Sequence, residues 1–144
     1  MKKKFISVFA IILLISLYIA PEANAAVRAS YYLSSYDAYI WSEGSGSMSV
    51  YFDVQGTGTM DEIGALSIRL QERPSGSSTW TTVKSYSHTD YNNMLSSNND
   101  YYGSSVSYSG RAGYSYRAFI TVWAGKNGSG DSREILTDTV VAKQ

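Results

Sequence analysis

Residues 66–86, LSIRLQERPSGSSTWTTVKSY, constrain what this chain can fold into more than any other stretch. Leu66, Ile68 and Leu70 alternate with Ser67, Arg69 and Gln71. A period of two puts the apolar residues on one face of a strand and the polar residues on the other. Arg73-Pro74-Ser75-Gly76-Ser77-Ser78 then interrupts the run with residues that preset or tolerate turn dihedrals. Trp80, Val83 and Tyr86 mark a second β-rich run. The pattern predicts a β-hairpin, with Trp80 packed at the sheet edge or in the core.

Similar patterns recur along the chain. Residues 30–40 read as a tyrosine-rich first strand, with Trp41 beside a Ser/Gly turn at 42–46. Met48, Val50, Phe52 and Val54 alternate with Ser49, Tyr51, Asp53 and Gln55, a half-buried strand expected to end in Gly56-Thr57-Gly58-Thr59. Thr59-Met60-Asp61-Glu62 has capping-box spacing, so one helical turn closed by Gly64 is expected before the hairpin. Residues 88–103 are rich in Asn, Asp, Ser and Tyr and read as a long loop plugged by Met94 and Leu95. A short strand at 104–109 and a turn at 110–113 follow. A longer strand at 114–123 carries Tyr116, Ala118, Ile120 and Val122 on one face, Phe119 and Trp123 on the other. A glycine-rich loop at 124–131 leads to a last strand at 133–141. About seven strands and no long helix after the N-terminal segment predict an all-β, antiparallel immunoglobulin/fibronectin type III-like β-sandwich. Gly113-Tyr114-Ser115-Tyr116 has the form of a tyrosine corner, in which a hydroxyl bonds back to the preceding loop.

The N-terminus is set apart from this pattern. Met1-Lys2-Lys3-Lys4, an apolar run at 5–20 and Ala23-Asn24-Ala25 form a secretory signal peptide over residues 1–25, leaving one domain at 26–144. The apolar run is short for a membrane span. Taking Lys2, Lys3, Lys4 and Glu22 from the 12 basic and 12 acidic residues leaves nine and eleven, a net charge near −2. With no basic stripe, nucleic-acid and anionic-membrane binding lose their electrostatic footprint. Cysteine is absent, so the domain has to be held by its core rather than by disulfides. A secreted protein with no stable membrane insertion after cleavage is expected.

Three stretches carry a likeness: residues 56–64, Ser77-Ser78-Thr79-Trp80, and residues 124–133. Through them residues 26–144 resemble a family of small secreted bacterial proteins known only as a domain of unknown function. The resemblance implies export and an immunoglobulin/fibronectin-like β-sandwich, and it brings no catalytic residues or cofactor.

In an up-down sandwich path, loops 57–64, 88–103 and 125–131 share one end, as binding loops do in antibody variable domains. Tyr supplies rigid amphipathic area there, and Asn and Ser supply adaptable hydrogen bonds. The candidate ligand-binding residues are therefore Asp61, Glu62, Tyr91, Tyr101, Tyr102, Lys126 and Asp131. The ligand expected is an extracellular glycan or protein. Asp61, Glu62 and Asp131 offer hard oxygens for calcium, or else form caps and salt bridges, and no metal site is assigned. One histidine, His88, and no cysteine leave nucleophilic catalysis without a partner set. No cofactor is implied. The sequence thus reads as a non-enzymatic binding module. The alternatives are a structural subunit assembling through exposed strand edges and a secreted antagonist of competing cells.

Overall fold

A computed structural model describes residues 30–144; the expected signal segment, 1–25, lies outside the described residues. Seven strands run in order: β1 (Leu33–Gly44), β2 (Ser47–Arg73), β3 (Thr81–Ser87), β4 (Leu95–Ser109), β5 (Ser115–Lys126), β6 (Ser129–Leu136) and β7 (Val140–Val141). A single 3-10 turn, Asn92–Met94, precedes β4. All pairing is antiparallel, within one hydrogen-bonded sheet.

β2, at 27 residues, is the spine. Residues 47–55 pair with β1 on one side and with residues 101–109 of β4 on the other. Residues 67–72 pair with β3 on one side and β5 on the other. Between these halves the β4 register jumps from Gln55↔Tyr101 to Met60↔Asn99. The extra residues on β2 form a bulge, which bends a strand and raises its twist. The sheet therefore curls and brings β1 alongside β5, β6 and β7. Both halves line one core. Met48, Val50, Phe52 and Val54 come from the first half; Ile68, Leu70, Tyr116, Ala118, Ile120 and Val122 come from the second. Each fully buried Val, Leu, Ile, Phe or Met side chain among them contributes about 1.5–3 kcal/mol by leaving water.

The hairpin at 66–86 forms, with register Ile68↔Tyr86 and Glu72↔Thr81 around the turn. Ile68 and Leu70 are buried as the alternation predicts, but Leu66 is only half-buried, because a register shift between Ala65 and Ser67 gives its core position to Ala65. Trp80 packs at the edge between the guanidiniums of Arg73 and Arg117, 4.7 and 4.3 Å from its ring. Tyr116 closes a corner of the tyrosine type. Its hydroxyl accepts from the Arg111 amide at 2.7 Å and donates to Glu72 Oε2 at 2.9 Å.

Four expectations are corrected. Residues 59–64 form no helical turn: they stay extended within β2, because β4 and β5 offer backbone partners on both sides of Glu62 and Gly64. A ladder on two sides outweighs one capped turn. The loop expected at 88–103 ends at Met94, and 95–103 belongs to β4. Its polar side chains face water while its backbone pairs with β2, so the composition concealed a strand. Met94 does plug the segment, fully buried. The glycine-rich loop shrinks to the two residues Asn127-Gly128, both at positive φ (53° and 76°). That is the Asn-Gly chemistry of a tight hairpin turn, joining β5 to β6. The last strand divides into β6 and β7 where buried Thr137 turns inward, its hydroxyl accepting from the Ala118 amide at 3.0 Å.

Gly64 lies where β2 is paired with β4 on one side and β5 on the other. It has φ 145°, and a Cβ there would collide with the Met94 carbonyl oxygen. Gly64→Ala is expected to cost about 3 kcal/mol, through backbone strain and displacement of Met94. Urea unfolding monitored by tryptophan fluorescence checks this.

Candidate functional site

The acidic and basic candidates do gather. Asp61, Glu62 and Lys126 line a cleft of about 380 Å³ with Trp123 and the 125–129 turn. Asp61 Oδ2 accepts from the Asn127 amide at 2.7 Å, so its carboxylate fastens the β5–β6 turn. The Trp123 ring lies where Cβ atoms on Gly125 and Gly130 would sit, 2.6 and 2.5 Å away. The glycines of this region thus make room for the indole, whose Nε1 is buried without a partner. Asp131 is engaged differently. Its Oδ2 accepts from Ser30 Oγ at 2.6 Å and from the Tyr31 amide at 3.0 Å, clasping the start of the described chain against β6. The Ser30 hydroxyl, with the Tyr32 and Tyr31 amides and Arg133, holds this carboxyl below its ordinary range against a smaller opposing effect of burial. Among the described residues no three acidic or histidine side chains converge on a cation position.

The three tyrosines do not join them. Tyr91 stands edge-on to Tyr86 at 5.0 Å and lines a separate hollow of about 520 Å³ with Lys84, Asn93 and Tyr108. Tyr102 donates to the Asn93 carbonyl at 2.8 Å and tilts against Phe52. Tyr101 lies on the outer face of β4, 48% exposed. The shared loop end was inferred from a path with long loops, and that path is absent, since 95–103 and the residues flanking Asn127-Gly128 are strands.

Tyr101 belongs to a site that sequence reasoning missed. The inward residues of β1 are Ala38 and Ile40, so Asp37, Tyr39 and Trp41 point outward. Across the ladder, Tyr39 faces Tyr51 and Asp37 faces Asp53. The Tyr39 ring centroid is 5.8 Å from that of Trp41 and 4.7 Å from that of Tyr51. The Tyr51 hydroxyl meets that of Tyr101 at 3.3 Å. The meeting takes place over Gly103, where a Cβ would lie 2.5 Å from the Tyr51 oxygen. Four aromatic side chains thus cross three strands in a diagonal series. Tyr39 and Trp41 are 47% and 38% exposed, well above what a packing role requires. The Tyr101 hydroxyl, followed by burial, pushes the Tyr51 phenol pKa upward.

Beside it lie two carboxylates with no cation paired to them among the described residues. Asp37 and Asp53 are direct cross-strand partners. The one ion pair among the described residues is Arg69–Glu134, on the other half of the sheet. Burial, and then the charge of Asp37, raise the Asp53 pKa above its ordinary 3.8. The signal for this face was in the sequence. Tyr39, Trp41, Tyr51 and Asp53 occupy polar positions in an alternation of two, and aromatic rings placed there are turned toward solvent.

No family model matches the sequence, and no curated protein does. Among solved structures, Spo0M, a sporulation control protein from Bacillus subtilis, is similar at 8% identity with a TM-score of 0.44, over 76% of this chain and 49% of that one. A family 76 glycoside hydrolase from a bovine Bacteroides thetaiotaomicron strain is similar at 19% identity with a TM-score of 0.33, over 75% of this chain and 20% of that one. The chain therefore spans about half of the first and a fifth of the second.

The like-charged pair has a measurable consequence. An acid whose pKa is raised on folding binds its proton more tightly in the folded state, so its charge opposes folding. For Asp53 that penalty is complete above its folded pKa and disappears as pH falls below 3.8. Asp37→Asn is expected to stabilise the protein at pH 7 by about 0.5 kcal/mol, the scale of a cross-strand charge pair. The gain should vanish near pH 3, as read by thermal melting of both forms across pH.

Proposed function

We propose that this chain is an exported, non-enzymatic binding module whose recognition surface for an extracellular glycan or protein is the outer face of β1, β2 and β4. The observation that carries this is the solvent-facing series Trp41–Tyr39–Tyr51–Tyr101 beside Asp37 and Asp53. Exposed Tyr and Trp with polar neighbours are the composition of binding hot spots. Stacking within the series fixes the rings before any ligand arrives, which lowers the entropy cost of binding. Asp61 and Asp131, placed by sequence among the ligand contacts, bond to backbone amides distant in their own chain and fasten those segments, whereas Asp37 accepts from the amide of its neighbour Ala38. Export rests on the basic, apolar and A-x-A pattern of residues 1–25, and kinship on the likeness to the small secreted bacterial family. In this reading the two halves of the curled sheet are the layers of an immunoglobulin/fibronectin-like sandwich joined through β2.

A second reading, a structural or assembly subunit, is favoured by one observation. Residues 33–55 and 91–110 contain no Lys or Arg, whereas Arg69, Arg73 and Arg117 stand on the other half.

The binding reading is tested by glycan arrays and by pull-down from the native extracellular material. Comparison is made with Tyr39→Ala/Tyr51→Ala and with Gly103→Ala, which pushes the Tyr51 hydroxyl aside while sparing the core. Retention by the wild type and loss of about tenfold or more in both variants is the expected result. Equal retention by all three would sink the assignment of the face.

A further inference from the structure

The molecule has two outer faces of opposite character. On the half formed by β1, residues 47–55 and residues 101–109, every formal charge is negative: Asp37, Glu43 and Asp53. Glu43 is engaged by the Ser49 hydroxyl. Asp37 and Asp53 face each other across the ladder without a counter-charge among the described residues and are flanked by the Tyr39 and Tyr51 rings. Carboxylates set beside exposed aromatic faces match a planar cation, which stacks on the rings and donates in its plane to the oxygens.

The other half carries that cation in series. The Arg69 guanidinium lies 4.7 Å from the Phe119 ring centroid. Arg117 lies 5.4 Å from Phe119 and 4.3 Å from Trp80. Arg73 lies 4.7 Å from Trp80 on the ladder's far end. Three guanidiniums therefore alternate with two rings along the outer face of β2 and β5. Gln71 Oε1 orients Arg117 by accepting from its Nε at 3.0 Å. Glu134 reaches Arg69 at 3.8 Å, a loose pair with both side chains about half exposed (47% and 54%). Such a pair contributes little and is readily exchanged. The stacked guanidiniums are ordered by the rings, so less freedom is lost when they meet a carboxylate.

We propose that the acidic aromatic face of one copy docks on the arginine ladder of a second copy, head to tail. This rests on reading the outer face of β1, β2 and β4 as a recognition surface, and it names the partner. The two faces lie on different halves of the sheet, and the ion pairing among the described residues leaves Asp37 and Asp53 uncompensated. A two-fold dimer through either face would set like charges together. The complementary match is heterologous, and such an interface propagates unless its rotation closes a ring. Tyr, Trp and Arg, which both faces share between them, are the residues that dominate binding energy at interfaces.

The test is sedimentation velocity on the full chain, purified in the form the expressing cell makes, across protein concentration at low and high ionic strength. Apparent mass should rise with concentration at low salt, and association should weaken by about tenfold or more at high salt. Asp37→Asn/Asp53→Asn and Arg69→Gln/Arg117→Gln should each remain monomeric alone. Mixed, they should form a one-to-one heterodimer and stop, because each retains a single working face. Arg69→Gln alone, at a half-exposed position, serves if the double ladder variant melts early, and it should give a partial loss. A wild type monomeric at every concentration, or a mixture with no heterodimer, overturns the proposal. Loss of external ligand by Tyr39→Ala/Tyr51→Ala would still support the recognition face in that event. Self-association with no external ligand retained would make the chain its own partner.

Discussion

The backbone ladder of β2 is the interaction on which everything else depends. Over 27 residues it hydrogen-bonds successively to β1, β4, β5 and β3, so nearly every other strand is positioned relative to this one segment. The two halves of its apolar stripe, Met48–Val50–Phe52–Val54 and Ile68–Leu70, meet in the same core because the bulge near Gly56 and Thr59 bends the strand between them. A straight strand of this length would have left one half of the stripe in water. Gly64 permits the close approach of β2 to the Met94 carbonyl, which a Cβ there would prevent.

The outer surface follows from the same ladder. With the even-numbered residues of 48–54 committed to the core, the odd-numbered ones are presented in register with those of β1 and β4. Tyr39, Tyr51 and Tyr101 become neighbours only through that registration, since they are distant in the chain. The removal of a side chain at Gly103 leaves the space in which two phenol groups meet. Charge is partitioned in the same manner: an acidic, arginine-free half beside a half whose guanidiniums are stacked on Phe119 and Trp80. The first surface carries carboxylates that no ion pair among the described residues compensates, and the second has donors that are already oriented.

Much of the scaffold was legible in the residues. The alternation at 48–54 and at 116–122 named core positions that are fully buried, and the hairpin at 66–86 turned where Pro74 and Gly76 placed the break. Met94 was identified as a plug and Trp80 as a packing residue, at the edge or in the core. What misled was composition. Residues 95–103 hold Asn, Asp and Ser because their side chains meet water, yet their amides and carbonyls pair with β2. Thr59-Met60-Asp61-Glu62 carries a helix-start pattern, but local capping cannot compete with partners on two sides. The candidate site inherited these errors. It was placed at the ends of loops that are strands, and two of its acids, Asp61 and Asp131, prove to be bonded to backbone amides.

The sequence by itself determined the antiparallel all-β class, the inward set of each well-patterned strand and the turn at 74–78. These depend on side-chain period and on local dihedral preference, both carried by neighbouring residues. The tertiary structure decided that β2 is one strand rather than two, and which outward rings stand together. It also decided that Asp37 faces Asp53 while Arg117 stacks between Trp80 and Phe119. Those outcomes depend on register between segments far apart in the chain, and register is set by the closure of a common core, a quantity that no local stretch of residues contains.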